Sequence, residues 1–491
     1  MSAASGSAQL QRNAIGLMEV LFQSITHMAP AAAVAFSIIF ATTYAGGSTP
    51  LAVLIALVAC LFVAVSIGQL GRHLPSAGGL YTYNARGLGR IVGFLVAWGF
   101  MLAEPIVAPL LYLIFGNLWA STLNTYYGTP KELWIPFAIL AALIVWFLTY
   151  RGIRLSTRVG VVLGVFEIAV FAALALTLIV AAGSANTLSV FAPNTGNTGG
   201  FGSVFPGMIY AILAFIGFEA SAPLGEEASD PRRTIPRAVL LSCLLIGLFY
   251  LLCYYAATVY FGPAQMADPK TGFFAFNNGD PWTGLATKVW GAGWILVFLA
   301  VANSAIANAN AGANAATRVG FALSRIGILP RALSAIHPEH RTPHVAIHAQ
   351  AILGIAVAVG LGVATGSPLN AFALLGTVAT IVIVTIYVLT NLSCLVFYWR
   401  EHRDEFNWFI HGVIPIVGSL IFLPALVASF GIDFAGLGIG ALTSPANLAP
   451  PIIGVWMVIG IVVLAYFWST DRSRIDRTAS LYLEDGEAAT A

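Results

Sequence analysis

Three glutamates and one histidine lie inside long apolar stretches of this sequence, and these are Glu104, Glu167, Glu219 and His27. An ionisable side chain in a bilayer costs at least about 2.5 kcal/mol on insertion scales, so each is a candidate functional group. We interpret Glu167 as a group that exchanges a proton or replaces a cation site, with a neutral hydrogen bond to a neighbouring helix as the alternative. Glu104 precedes Pro105, and we expect it to satisfy backbone groups that this proline frees.

Histidines offer two further kinds of chemistry. His27 could sense pH or contact a substrate, because imidazole titrates near neutrality, although a hydrogen-bonded structural role is the alternative. Four histidines also lie between residues 337 and 348, where His344 and His348 share a helical face. No Cys or Asp joins them, so we predict no metal site there. The sequence also shows no nucleotide-binding loop, and we expect no cofactor, no ATP drive and no enzyme chemistry.

The composition indicates which elements must hold these groups. Of 491 residues, 59% are hydrophobic and only 9% are charged, whereas about a quarter of an ordinary soluble domain is charged. This excludes a soluble enzyme, a nucleic-acid-binding protein and a disordered chain. The four cysteines all fall in apolar segments and are typical of small buried side chains. The composition therefore predicts an all-α polytopic membrane protein.

A membrane span needs about 20 mostly apolar residues, because no water can satisfy its backbone inside the bilayer. Twelve segments meet this requirement, and we number them helix 1 to helix 12. Their predicted bounds are 14–43, 50–70, 89–122, 133–150, 156–182, 203–224, 237–261, 284–317, 344–365, 369–398, 409–430 and 452–470. Helices 1, 3 and 8 are long enough to predict a tilt, a break or an extension beyond the bilayer.

The basic residues predict the orientation of these helices. With the N-terminus inside, all 19 arginines fall on the cytoplasmic side, while Lys131, Lys270 and Lys288 fall outside. Both termini are thus expected in the cytoplasm. The residues up to Arg12 lack a secretory signal pattern, so we expect helix 1 to be retained as a membrane anchor.

Two helices carry signs of a break near the middle of the membrane. Helix 1 contains Pro30, which removes a backbone donor, and helix 6 places Gly217 beside Glu219. The breaks are about 190 residues apart, and because five is an odd number the second five helices enter from the opposite face. This predicts an inverted repeat. The expected parts are an N-terminal segment 1–13, repeats 14–182 and 203–398, helices 11 and 12 at 409–470, and a tail 471–491.

Such breaks expose backbone dipoles that can hold a zwitterion. The half-helix after Pro30 offers N–H groups to a carboxylate, and carbonyls around Ile216 and Gly217 can accept from an ammonium. The alternative is a pair of simple kinks satisfied by neighbouring groups. The candidate substrate-binding residues are Thr26, His27, Met28, Ala29, Ala31, Ala32, Phe215, Ile216, Gly217, Phe218 and Glu219.

Four motifs resemble the amino acid–polyamine–organocation (APC) transporters. They are the run LPSAGGLYTY at 74–83, the segment from Gly217 to Ala238 with its DPRR and IPRA, the segment from Arg318 to Pro330 followed by Thr342 and Pro343, and Gly152-Ile153-Arg154. Their order and spacing across some 330 residues make the match specific. The resemblance implies a leucine-transporter-type fold with a 5+5 inverted repeat plus two extra helices, which works by alternating access.

The resemblance also suggests roles for individual residues. It implies that Glu219 braces the unwound part of helix 6, and that Asn303 and Ser304, with Thr26 opposite, lie where sodium-coupled relatives hold the ion. The chain departs from the family in helix 1, where Ala29, Pro30 and Ala31 replace a glycine-rich break. It also has Glu167 at about the point of helix 5 where many relatives carry a lysine.

We therefore predict a multi-pass plasma-membrane transporter for amino acids, coupled to protons or working as an exchanger, with sodium as another possible ion. Its partners would be the small-molecule substrate, the coupling ion and the lipid bilayer, with no nucleic acid. A polyamine or organic amine carrier or antiporter is the first alternative, although few acidic groups lie near the breaks. A channel or an intramembrane hydrolase is the second, although the sequence shows neither a four-fold repeat nor paired aspartates in its spans.

Overall fold

The computed structural model describes residues 16–74, 79–152, 156–197, 199–226, 228–325, 327–340, 342–432 and 442–475. The predicted N-terminal segment 1–13, residues 75–78 of the first motif, Ile153 and Arg154 and most of the tail lie outside these ranges. Within them, twelve helical segments are long and apolar enough to cross a membrane, as predicted. The chain is a multi-pass membrane protein.

Ten of the twelve predicted spans contain one principal α-helix each. For helices 2 to 5 these are Thr49–His73, Arg90–Tyr127, Trp134–Arg151 and Ser156–Ala182. For helices 7 to 10 they are Pro231–Phe261, Trp294–Arg325, His344–Ala364 and Pro368–Glu401. Helix 11 is Ile414–Ser429, preceded by a π-helical turn Trp408–Val413, and helix 12 is Ala449–Thr470.

Helices 1 and 6 are interrupted. Helix 1 comprises Leu17–Met28, the short turn Pro30–Ala32, a π-helical turn Ala33–Ser37 and Ile39–Ala45. Helix 6 runs as an α-helix over Phe201–Phe215 and resumes as a 3-10 helix over Phe218–Glu226. The first part of helix 1, Leu17–Met28, packs against the 3-10 part of helix 6, and its last part, Ile39–Ala45, packs against Phe201–Phe215. The two broken helices therefore lie side by side and run in opposite directions.

The structure differs from the predicted spans in two places. The predicted helix 8 at 284–317 is divided at Gly291–Gly293, so that a separate helix Pro281–Trp290 precedes Trp294–Arg325. Gly291 has a φ of 54°, a left-handed conformation that glycine adopts without strain. A further short helix, Leu80–Leu88, precedes helix 3. Hydropathy missed it because it is too short and too polar to span a bilayer.

The packing of the helices follows a repeat of five. Helix 2 packs on helix 7, and helix 3 packs on helix 8. Other contacts occur in corresponding pairs, five helices apart. Helix 5 packs on helix 7, and its counterpart helix 10 packs on helix 2. Helix 3 packs on helix 4, and likewise helix 8 packs on helix 9. Such paired contacts are what two similarly folded units produce when they pack against each other.

Candidate functional site

The break in helix 1 is formed by an alanine in a left-handed conformation. Ala29 has φ 48° and ψ 66°, and its N–H donates to the Thr26 carbonyl oxygen at 3.2 Å. The helix resumes at Pro30, and its next backbone hydrogen bond runs from the Ala33 N–H to the Ala29 oxygen at 2.8 Å. The N–H groups of Ala31 and Ala32 precede this bond, so they stand at a helix N-terminus, where an anion is favoured.

The break in helix 6 depends on one glycine that touches helix 1. Helix 6 ends where Ile216 turns to ψ 124°, and Gly217 then has a φ of 119°. A Cβ atom on Gly217 would lie 2.6 Å from the His27 Cδ2 atom and 2.8 Å from the His27 carbonyl carbon. Neither the conformation nor the space admits a side chain. The backbones of the two breaks are therefore in direct contact, with the buried His27 ring beside Gly217.

A carboxylate occupies the free donor at the break in helix 6. The Gly217 N–H donates to Glu219 Oε2 at 2.9 Å, and the Tyr387 hydroxyl of helix 10 donates to the same oxygen at 2.8 Å. Both bonds are buried. They join the unwound backbone of helix 6 to helix 10, and they leave this oxygen already engaged by protein donors.

Two hydroxyl side chains tie the broken helices together. The Ser24 hydroxyl donates to the Phe218 carbonyl oxygen at 2.8 Å and accepts from the Ser221 N–H at 3.1 Å. The Tyr250 hydroxyl of helix 7 lies 2.9 Å from the carbonyl oxygens of both Met28 and Ala214, to which it donates. It therefore caps the two helix ends that face the breaks.

Ser24, Tyr250 and Tyr387 were not predicted from the sequence. The one signal available was a hydroxyl side chain inside an apolar span, which needs a hydrogen-bond partner in lipid. That signal does not say which partner is chosen, because each bond joins residues far apart in the sequence.

The two predicted aromatic residues of helix 6 pack between helices. Phe215 lies edge-on to Tyr250, with ring centroids 5.4 Å apart, and Phe218 lies against Tyr387 at 5.3 Å. Both phenylalanines are buried. Their rings therefore support the two tyrosines that hold the breaks.

Glu167 lies beside the break in helix 1. It is buried on helix 5, and its carboxyl group faces the Ser304 hydroxyl of helix 8 and the backbone N–H of Ala31. Glu167 Oε2 and Ser304 Oγ are buried without a hydrogen-bond partner among the described residues. Buried polar atoms are rarely left in this state, so this cluster is a candidate for proton or ion binding.

Asn303 does not join this cluster. Its amide donates to the Leu163 carbonyl oxygen of helix 5 at 3.5 Å, and the side chain is half-buried. Asn303 and Ser304 thus both contact helix 5, one at the Leu163 carbonyl oxygen and the other at the Glu167 carboxyl group one turn further along. Ser304 is the member of the pair that lies directly with Glu167.

Twelve apolar helical spans, two of them broken and packed side by side, are typical of a secondary transporter. A family model described as amino acid permease matches residues 15–468. The chain belongs to this family, which confirms the resemblance to APC transporters inferred from the four motifs.

Relatives with printed functions support the same assignment. The branched-chain amino acid permease BcaP of Bacillus subtilis is 25% identical over 457 residues, covering 88% of each chain. The low-affinity putrescine importer PlaP of Escherichia coli K12 is 26% identical over 468 residues, covering 92% of this chain and 93% of its own. The methylthioribose transporter of Bacillus subtilis is 25% identical over 404 residues, covering 78% and 81%. All three are transporters of small molecules.

Proposed function

We propose that this permease carries amino acids across the plasma membrane by alternating access, and that the substrate carboxylate binds at the N–H groups of Ala31 and Ala32. The observation that supports this most directly is the contrast between the breaks. Gly217 has its N–H bonded to Glu219, whereas Ala31 and Ala32 precede the first backbone hydrogen bond of their half-helix, and only Ala31 is faced by a carboxyl group, that of Glu167. The positive end of that half-helix favours a carboxylate.

The substrate ammonium would be held by carbonyl oxygens at the break in helix 6. The Gly217 oxygen accepts from the Ala220 N–H at 3.0 Å, and the Phe218 oxygen accepts from Ser24. The Ile216 oxygen accepts no hydrogen bond from the described residues. We therefore propose Ile216 as the main acceptor. Thr26, His27 and Met28 would form the wall of the site on the side of helix 1.

The coupling step would act through Glu167. Its carboxyl group faces Ala31, one of the two proposed carboxylate-binding residues, so protonation of Glu167 would change the field at the substrate. We propose proton-coupled symport or exchange on this basis. Sodium bound near Ser304, with Thr26 and Asn303 as the other suggested ligands, is the competing mode.

The remaining organisation follows from the same proposal. Repeats 14–182 and 203–398 would rock against each other around the fixed site, with helices 11 and 12 outside them. The bias of the arginines towards one side would place both termini in the cytoplasm.

Direct binding to the purified protein tests the substrate class. Valine, isobutylamine and putrescine would each be added in a thermal-shift assay at two pH values, with and without sodium. A ligand that binds the folded form raises the melting temperature. We expect valine to raise it more than isobutylamine, which lacks the carboxylate. Tighter binding of either amine would favour an amine carrier, since the putrescine importer is also a relative.

Counterflow in vesicles separates a carrier from a channel. Unlabelled substrate inside the vesicle should accelerate uptake of labelled substrate through a carrier, because the loaded site returns faster than the empty one. Uptake that ignores internal substrate would contradict alternating access.

A further inference from the structure

Three metal-ligating side chains meet at the end of helix 2, away from the helix breaks. His73 is the last residue of helix 2, His402 follows the last residue of helix 10, and Glu405 lies in the connection to helix 11. One ligand atom from each residue lies within 4.8 Å of the other two. None of the three belongs to the candidate transport site.

The geometry of this cluster is close to what a metal ion requires. His73 Nε2 and Glu405 Oε2 are 3.2 Å apart. Ligand atoms of a tetrahedral zinc ion are about 3.3 Å apart, given bonds of about 2.0–2.1 Å. The His73 and His402 rings have centroids 4.0 Å apart and planes inclined by 32°, which is closer to stacking than the separation of about 5 Å expected for two imidazoles on one tetrahedral zinc ion. Binding would therefore require the His402 side chain to rotate, so that one of its ring nitrogens becomes the third ligand.

The surroundings fix both imidazoles and keep the cluster accessible. Phe397 packs against the His402 ring at 5.0 Å and against the His73 ring at 6.0 Å. The side chain of His73 is 22% exposed and that of Glu405 is 52% exposed, so an ion can enter from solvent. The other titratable or charged groups around the cluster are Tyr398, whose ring lies 5.5 Å from that of His73 and 6.0 Å from that of His402, together with His411, Arg72 and the chain neighbours Glu401, Arg403 and Asp404. The charge of Arg72 disfavours a cation, so binding should be reversible rather than structural.

We propose that His73, His402 and Glu405 bind a divalent transition-metal ion such as zinc. Two imidazoles and one carboxylate are a common zinc ligand set, and a fourth position would remain for water. The bound ion would link the end of helix 2 to the end of helix 10 and to the connection that follows it. No other set of three histidine, cysteine or acidic residues is as close within the described ranges.

Metal titration of the purified full-length protein tests this proposal without any transport measurement. Zinc chloride would be titrated by calorimetry, and cobalt(II) would be followed by its visible absorption, which is strong for tetrahedral sites. We expect one site per chain. The variants His73→Ala, His402→Ala and Glu405→Gln should each weaken zinc binding by more than about ten-fold, because each removes a ligand.

The histidines before and within helix 9 supply a matched control. His344→Ala and His348→Ala remove exposed or half-buried imidazoles from a second cluster, whose rings are 6.3 Å apart, and should leave the affinity unchanged. Loss of binding in these variants, or wild-type affinity in the His73 and His402 variants, would overturn the assignment. An absence of zinc binding by the wild type would overturn it as well, leaving only a hydrogen bond between His73 and Glu405.

A second measurement concerns the consequence for transport, and it rests on the proposed function. If helix 2 moves relative to helix 10 during the cycle, zinc on the side of His73 should slow uptake in proteoliposomes, while the His73→Ala variant should be insensitive. Zinc binding with unchanged uptake would remove the regulatory role and retain the site. A protein that binds zinc but transports nothing would instead contradict the proposed function.

Discussion

The two broken helices reach the same contact by different chemistry. Helix 1 turns at Ala29, a residue that enters the left-handed region only with strain, and its following N–H groups precede any backbone bond. Helix 6 turns at Gly217, where no strain arises, and its free N–H is held by Glu219 and through it by Tyr387. Helix 6 therefore has an internally satisfied break, whereas in helix 1 the Glu167 carboxyl group faces the Ala31 N–H and the Ala32 N–H remains an open donor.

This difference assigns a separate task to each break. A braced break keeps its shape with or without a ligand, so the segment around Gly217 provides a fixed wall. A break with open donors gains hydrogen bonds when a carboxylate arrives. Binding energy is therefore expected at Ala31 and Ala32, and shape complementarity at Gly217. Substitutions at the two breaks and at the residues that hold them test this division.

Replacing Gly217 by valine should have the largest effect. The new Cβ would meet the backbone of His27 at 2.8 Å, and a branched side chain at a φ of 119° is strained in any surroundings. We expect substrate binding to be lost and the unfolding free energy to fall by about 3 kcal/mol. Thermal shift with and without substrate measures both.

A glycine in open space provides the control for this change. Gly360 in helix 9 has no atom within 4 Å of a built Cβ, so Gly360→Val should bind and fold as the wild type does. Full substrate binding by the Gly217→Val variant would show that helix 6 is merely kinked and that the site lies elsewhere.

Replacing Glu167 by glutamine should uncouple transport and leave binding nearly intact. Glutamine keeps the size of the side chain and its contacts with Ser304 and Ala31 but cannot exchange a proton. We expect coupled uptake to fall by about ten-fold or more, equivalent to about 1.4 kcal/mol, and to lose its pH dependence. Uptake at several pH values checks this.

Glu104 offers the comparison for Glu167. It also has a buried oxygen without a partner among the described residues, but it lies on helix 3. Glu104→Gln should preserve the pH dependence of uptake. If Glu167→Gln behaves in the same way, Glu167 has no part in coupling, and the competing sodium mode at Ser304 gains support.

Replacing Tyr250 by phenylalanine should destabilise the protein to an intermediate degree. The hydroxyl serves the carbonyl oxygens of both Met28 and Ala214, and its loss leaves two buried acceptors without this donor. A cost of about 1–3 kcal/mol is expected for such groups. A lower melting temperature, together with weaker substrate binding, would be the result.

A neighbouring tyrosine tests whether the loss of stability depends on the position of Tyr250 or would follow the removal of any buried hydroxyl group. The Tyr254 hydroxyl donates to the Val34 oxygen at 2.6 Å, but the Trp282 ring N–H donates to the same oxygen at 3.1 Å. Tyr254→Phe therefore leaves Val34 with a donor and should cost less. If both variants lost the same amount of stability, the hydrogen bonds of Tyr250 to the two breaks would contribute no more than those of another buried hydroxyl group.

The hydrogen-bond partners of Tyr250 could not be predicted from the sequence, although the helices that carry them could. The number of spans and the two breaks follow from local composition, from Pro30 and from Gly217, so the sequence predicted them. The division before helix 8 escaped prediction because Gly291–Gly293 lies within an apolar run, where glycine is common in membrane helices. The partners of Ser24, Tyr250 and Tyr387 depend on which faces of distant helices meet, and periodicity does not encode this.

The same limit applies to the contacts of Asn303, Ser304, Phe215 and Phe218. All four residues lie in the helices to which the sequence assigned them. The rotation of each helix about its axis then decides which neighbours its side chains contact. That rotation is set by packing against several neighbours at once. For metal ligands, the sequence drew attention only to His344 and His348, where it predicted no site, whereas the tightest cluster among the described residues joins His73 to a connection some 330 residues away.

The smallest predicted effect is a change in unfolding free energy that comes from the strain at Ala29. The sign of this change distinguishes a broken helix 1 from a continuous one. Glycine adopts the left-handed conformation freely, so Ala29→Gly should raise the unfolding free energy by about 0.5–1 kcal/mol, after its greater freedom in the unfolded chain is allowed for. Ala31 lies in the resumed helix, so Ala31→Gly should lower it by a similar amount. Chemical denaturation of the two variants in detergent measures the difference. If both substitutions lowered stability equally, Ala29 would be helical and helix 1 continuous, and the open donors on which carboxylate binding depends would be absent.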